Sequence, residues 1–322
     1  MAIVKFLCEE SDFNSLEGVV DTNSSYWDST RTETGWYFTY TDSFVATWPV
    51  LANDVWFHFR MGQSTSNTLW DDTRAFRFND IDGNQMMALG IENGTHVWRL
   101  FGDTTTSATY TAVVGTGQIF DVQLVKNGTT DFTLNVWRDG VLVVNALTTG
   151  NTVDYDIPVS WTLNLLDTSP QTYRVYFNEC VIADEDTRGW RLRQHLPTAF
   201  GVDTDWIGDA NGVVGGNMGN GIISDTLDDL AGFGVSNIEN LPVAVVVDRV
   251  VLQTYAQRGA TGLAKFNHFF RYDTPTYDHD ADHTLALSTE MFIDEYPTSP
   301  DTGVAWTDTE MAGIQFGVRS RT

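Results

Sequence analysis

The sequence predicts an all-β protein built from two antiparallel β-sandwich domains. Strand-like runs rich in aromatic and β-branched residues recur about every ten residues, and helix-period patterns are scarce. Hairpin-type turn residues separate the runs. Many evenly spaced strands joined this way indicate a sandwich rather than a parallel sheet with crossover helices. At roughly 100–200 residues per domain, a chain of 322 residues makes about two.

In chain order, the first domain (1–185) contains the runs WYFTYT (36–41), VWFHFRM (55–61), TRAFRFND (73–80), MMALGIE (86–92) and HVWRLFG (96–102). IFDVQLVKNG (119–128), FTLNVWRDG (132–140), VLVVNAL (141–147) and YRVYFNECVIAD (173–184) complete it. Asn93-Gly94, Asn127-Gly128 and Asp139-Gly140 supply the left-handed backbone that tight hairpins need. Phe132, Leu134 and Val136 alternate with Thr133 and Asn135, as expected of a strand with one face on a core. Trp137 breaks that alternation, which places it on the outer face, in a binding surface or under a neighbouring loop or subunit. Residues 186–200 read as a connector whose Arg188, Arg191 and Arg193 pair with carboxylates at the domain junction, the alternative being a solvated loop. The second domain (201–322) opens on a glycine-rich stretch, 201–221, that favours loops. Strand-like segments follow at 243–255, 264–272, 283–296 and 313–321.

Charge narrows the function classes. Eighteen Lys and Arg stand against 43 Asp and Glu, a formal charge of −25 and a pI near 4.3, which argues against phosphate-backbone binding. Hydrophobic residues at 42% and aromatics at 13% exclude a disordered acidic chain. No run approaches the ~20 apolar residues of a membrane helix. The start, MAIVKFLCEESDF, turns acidic too soon for an ordinary signal peptide, so a soluble chain made in a cytoplasm is expected. Cys8 and Cys180 then read as buried thiols rather than a disulfide or metal pair.

Three groups of residues carry candidate chemistry. Asp80, Asp82 and Asn84 around Gly83 have the closely spaced oxygens that calcium takes, although an Asx turn explains them without metal. Asp71-Asp72 and Asp203-Thr204-Asp205 are weaker versions of the same pattern. His279 and His283 lie four apart with three Asp at 278, 280 and 282, the atom types of a divalent metal site. In an extended chain the imidazoles and the carboxylates face opposite ways, so a solvated turn is the expected outcome. Trp70, Trp98 and Trp137 can stack on sugar rings from a sandwich rim, although most Trp belong in cores or interfaces. Signals for catalysis are weak: no strand carries a carboxylate pair at glycosidase spacing, Asp294-Glu295 is a consecutive pair whose members face apart, and neither a nucleophile elbow nor a P-loop occurs. A non-enzyme is expected, with no cofactor beyond calcium.

The opening EESDFNSLEG, the hairpin VWRDGVLVV and the closing strand YFNECVIAD resemble the concanavalin A-like (laminin-G-like) jelly-roll sandwiches of phage virion proteins. GDANGVVGG, QTYAQRGATGLAKFNHFFR and the terminal PTSPDTGVAWTDTEMAGIQFGVR are similar to the C-terminal half of structural proteins of tailed bacteriophages. Pro300–Thr307 supplies a characteristic Pro…Gly-x-Ala-Trp-Thr stretch and Ile314–Val318 the strand after it. Read physically, Pro300 and Gly303 make a turn, Trp306 anchors the loop, and Thr307 caps a short helical turn containing Glu310 and Met311. The resemblance implies jelly-roll domains, the first concanavalin A-like, in a virion structural protein of the tail (fibre, baseplate or tip) or of the capsid surface. By analogy it implies a homotrimer with other virion proteins and host surface glycans as partners. The alternatives are a polysaccharide-degrading enzyme of jelly-roll fold and an independent carbohydrate-binding module.

Overall fold

A computed structural model describes residues 3–7, 15–16, 19–21, 35–38, 42–51, 54–64, 76–92, 94–128, 130–151, 155–164, 175–190, 197–208, 213, 221–235, 246–272 and 274–322. The fold is all-β and antiparallel, with a short helix at Asp308–Gly313, and the chain divides into two compact units, Met1–Gln194 and His195–Thr322. Among the described residues no helix is long and apolar enough to cross a membrane.

The first unit is a two-sheet sandwich. Among the described residues, one sheet has eight strands, in the order Val141–Thr149, Asp131–Arg138, Gln118–Asn127, Asp54–Gln63, Val175–Ala183, Gly35–Phe38 and Val19–Asp21, with Ile3–Leu7 also paired to Val175–Ala183. The other has seven: Thr106–Thr111, Thr95–Leu100, Gln85–Glu92, Phe76–Asn79, Ser160–Asn164, Ser43–Thr47 and Ser15–Leu16. The alternation read at 132–136 is real, since Phe132, Leu134 and Val136 are fully buried and the residues between them are not. They join Phe57, Phe59, Phe120, Val122 and Leu124 in one core. Trp161 stands at its centre, with ring centroids 4.9–6.0 Å from Phe44, Phe57, Phe59, Phe76, Phe78 and Phe177, which come from both sheets. Truncating such a side chain costs about 3–5 kcal/mol. At the hairpin after Arg138, Asp139 (φ 49°) and Gly140 (φ 79°) both take the left-handed backbone of a two-residue turn.

The segment expected as a connector is divided. Thr187 is fully buried in the first unit, whereas Pro197–Thr204 is a strand of the second. Arg188 pairs with Asp186, two residues before it, rather than with a carboxylate at a junction; Arg191 and Arg193 lie outside the described residues. Cys180 is a buried thiol, and Cys8 is likewise outside.

The second unit is a smaller sandwich. Its main sheet runs Pro197–Thr204, Leu230–Val235, Gln315–Arg321, Lys265–Arg271 and Thr276–Asp278, with His283–Thr284 also on Lys265–Arg271. A two-stranded ribbon, Val250–Ala256 with Glu290–Tyr296, lies against it. The expected strands 243–255 and 283–296 are therefore shorter: Val246 is exposed, 243–245 are not described, and a loop separates His283–Thr284 from Glu290. The layers meet through Phe266 on Phe292 (5.1 Å) and Phe270 on Tyr296 (4.5 Å). Gly317 lets three strands close up, because a Cβ there would fall 2.1 Å from the Ala231 carbonyl oxygen. The terminal stretch folds as read. Gly303 N–H donates to Ser299 O, Trp306 is buried with its Nε1 donating to Tyr296 O at 2.8 Å, and Thr307 and Glu310 form a reciprocal capping box.

Candidate functional site

In the first unit the outer face of the eight-stranded sheet carries a cleft of about 480 Å³. Register builds it. Trp56, Gln123 and Asn135 are cross-strand partners in one row; His58, Asp121, Trp137 and Leu142 form the next. All point away from the core because their neighbours Val55, Phe57, Val122 and Val136 point into it. Trp56 and Trp137 meet diagonally, stacked at 5.5 Å with an interplanar angle of 21°. Trp56 is buried and braces Trp137, which is half-buried, while Leu142 beside it is 42% exposed.

The chain after Ala183 folds back over this face and is held there by buried hydrogen bonds. Asp121 Oδ1 accepts from Thr187 Oγ1 at 2.9 Å and lies 2.7 Å from His58 Nδ1. That anchor places Arg188 with its guanidinium 4.7 Å from the Trp137 ring and 5.7 Å from Trp56. The guanidinium also donates to both oxygens of Asp186, and these bonds hold the Asp186 carboxyl below its ordinary range. Asp186 is thus an ionised, paired carboxylate and a poor proton donor. Asp54, Glu185 and Asn145 complete the rim. Asn135 Nδ2 donates to Gln123 Oε1 at 3.2 Å, and its Oδ1 accepts from Ala146 N–H at 2.8 Å, so the amides are fixed in orientation. The arrangement offers an apolar aromatic edge, oriented amides and carboxylate acceptors within one concavity.

Of the tryptophans expected at a sugar-contact surface, only Trp137 is in this position among the described residues. Trp98 is a correction: it is fully buried in the core, its Nε1 donating to Tyr110 Oη, because it shares the inward parity of Leu100 on its strand. Trp70 lies outside the described residues, as do Asp71 and Asp72. Trp56 was not legible as a site residue, since five of the six residues Val55–Arg60 are apolar, aromatic or His and the strand shows no clear exposed parity.

Of the carboxylate candidates for calcium, Asp80, Asp203 and Asp205 have partners in their own chain, and Asp82 is exposed. Asp80 is buried and accepts from Asp82 N–H, Asn84 N–H and Asn84 Nδ2 at 2.7–3.0 Å, an Asx turn that uses Asn84 as a donor. Asp203 is bidentate to Arg271, and Asp205 accepts from Leu230 N–H.

In the second unit His279 and His283 do not sit on a solvated turn. Both reach inward to Asp294: His283 Nε2 lies 2.9 Å from Oδ2 and His279 Nδ1 3.3 Å from Oδ1. A third imidazole, His268, is fully enclosed, with Nδ1 2.7 Å from Asp294 Oδ2 and Nε2 2.8 Å from Thr254 Oγ1. The extended-chain parity failed because 279–282 loops, pinned by Asn267, whose Nδ2 donates to His279 O, Ala281 O and Asp282 Oδ1. Burial pushes the His268 imidazole down. Burial would raise the Asp294 carboxyl, but hydrogen bonds from His268 and His283 outweigh it and hold the group well below the usual carboxylate range. A signal for this cluster did exist: Phe266, His268 and Phe270 share one parity on their strand, as Phe292, Asp294 and Tyr296 do on the facing strand, so each strand puts one polar residue between two rings.

No protein-family model matches the sequence, and no curated protein matches it significantly. Among solved structures, the receptor binding domain of botulinum neurotoxin C/D mosaic serotype is 14% identical with a TM-score of 0.40, over 57% of this chain and 48% of that one. The match thus spans about half of that domain's length. The cellulose induced protein Cip1 is 16% identical with a TM-score of 0.41, over 55% of this chain and 93% of its own. An endo-beta-1,4-glucuronan lyase from the fungus Trichoderma reesei is 11% identical with a TM-score of 0.38, over 57% and 95%.

Proposed function

We propose that the chain is a non-catalytic, glycan-binding structural protein whose first unit holds neutral sugar units in the Trp56–Trp137 cleft. The observation that carries this is the braced Trp137 edge beside Leu142, ringed by oriented amides and carboxylates. A sugar ring has an apolar C–H face and a rim of hydroxyls, so it needs a flat apolar surface and fixed acceptors together. The preference for neutral glycans follows from charge. Asp54, Glu185 and Asp186 line the cleft, its Arg188 is already matched by Asp186, and the chain carries −25. Pairing of Asp186 with Arg188 supports a holding role over proton transfer.

The setting we propose is a virion surface, tail or capsid, with a homotrimer as the assembled form. Its support is the Pro300–Val318 stretch and its resemblance to phage structural proteins. The runner-up, a polysaccharide-degrading enzyme, would have to use Glu185 and Asp54, the remaining carboxylates of the cleft.

The test is titration of the full chain and of Trp137→Ala against a panel of neutral and anionic polysaccharides, with reducing ends followed in parallel. Saturable binding to a neutral glycan, weakened at least about tenfold in the variant and without chain cleavage, is expected. Absence of binding across the panel, unchanged affinity in Trp137→Ala, or turnover would overturn the proposal.

A further inference from the structure

The polar cluster between the sheet and the ribbon of the second unit gathers three imidazoles around one carboxylate. We propose that His268, His279, His283 and Asp294 bind a divalent transition ion of the zinc class, through His268 Nδ1, His283 Nε2, His279 Nδ1 and the Asp294 carboxylate. Three features of the site carry this.

The first is convergence. The ligand atoms of His268, His283 and Asp294 lie within 4.8 Å of one another, and His279 Nδ1 approaches the other carboxylate oxygen at 3.3 Å. Tetrahedral zinc with bonds of about 2.0–2.2 Å holds its donors roughly 3.3–3.6 Å apart. Asp294 Oδ2, at 2.7 and 2.9 Å from its two imidazoles, therefore has to withdraw by about 0.4–0.9 Å to admit the ion.

The second feature is the outer layer. His268 has its far nitrogen, Nε2, fixed by Thr254 Oγ1, the kind of bond that orients a metal-ligating imidazole and sets its tautomer. The loop bearing His279 is locked by buried Asn267, which also accepts from His279 N–H at 2.9 Å. His283 is wedged between Phe266 and Phe292, with centroids 5.0 Å from each.

The third is an imbalance in hydrogen bonding. Three imidazoles surround one carboxylate, and His279 Nδ1, a solvent-inaccessible nitrogen, makes no hydrogen bond among the described residues beyond its 3.3 Å approach to Asp294 Oδ1. An ion bonded to that nitrogen would satisfy it. Nitrogen-rich donors with a single carboxylate select zinc, copper or nickel over calcium and magnesium, whose sites are built from oxygen.

The experiment uses the full chain after chelator treatment, titrated with Zn²⁺ and, separately, with Co²⁺. The expected result is uptake of one Zn²⁺ per chain and, with Co²⁺, the strong visible bands of a four-coordinate ion. His283→Gln and His279→Gln, both at partly exposed positions, should each weaken Zn²⁺ binding at least about tenfold while near-ultraviolet circular dichroism stays native. Wild-type protein that takes up no stoichiometric Zn²⁺ would overturn the proposal. So would uptake that survives in either folded variant, since the ion would then reside among other residues.

Discussion

His96 provides a direct test of the first unit's interior. It lies inside the sandwich at 1% exposure, its ring edge-on to Tyr110 and Phe120 and its Nε2 3.2 Å from Gln63 Oε1. Burial, with the charge of Arg138 adding to it, lowers its pKa from 6.5 to about 3. The unfolded chain therefore takes up a proton first as pH falls. The stability conferred by a neutral His96 is fully present above about pH 6.5 and drains away toward pH 3. Between pH 7 and pH 5 the loss from this one group amounts to about 2 kcal/mol, of which roughly a third has appeared by pH 6. His96→Gln keeps a donor for Gln63 and does not titrate. Urea unfolding of both proteins across that range, followed by the tryptophan signal of the first unit, should give a wild-type stability that falls about 2 kcal/mol further than the variant's. Parallel profiles would show that His96 is not held neutral by burial, and the reasoning would fail.

Two further substitutions address the second unit. Gly317→Ala drives a methyl group against the Ala231 carbonyl oxygen and the Phe269 ring, so a loss of about 3 kcal/mol or more is expected in denaturant unfolding, and a loss under about 1 kcal/mol would refute the close approach. Thr307→Ala removes the oxygen that accepts from Glu310 N–H and leaves the first turn of the short helix uncapped; about 1 kcal/mol should be lost by the same measurement, with no change in sugar binding by the first unit.

Much of the fold could be read from the sequence because strand parity and turn chemistry are local. The run from Phe132 to Val136 announces its buried face, and Asp139-Gly140 announces the hairpin, without reference to anything distant. Trp137 could be placed on the outer face for the same reason: it interrupts a clean pattern. Its partners could not be found that way. Trp56 lies 81 residues away in the sequence, and Arg188 arrives only because Thr187 finds Asp121 across a separation of 66. Strand runs lost accuracy where the apolar pattern outlasted the ladder, as at 246–249, where a single bridge from Val247 to Trp306 precedes the strand that starts at Val250. The histidine cluster escaped because its geometry depends on a loop. Extended spacing put His279 and His283 opposite their neighbouring aspartates, but the chain loops there, and the carboxylate they actually meet is on a different strand.

The polar trio of His268, Asp294 and Thr254 also determines how the ribbon can dock. Along each facing strand a single hydrophilic side chain stands between two rings, Phe266 and Phe270 on one, Phe292 and Tyr296 on the other. A slide of two residues would keep apolar area nearly constant but would strand an ionised carboxylate against a benzene ring, at a cost of several kcal/mol. Grease alone would tolerate several alignments of the two layers; this lock admits one.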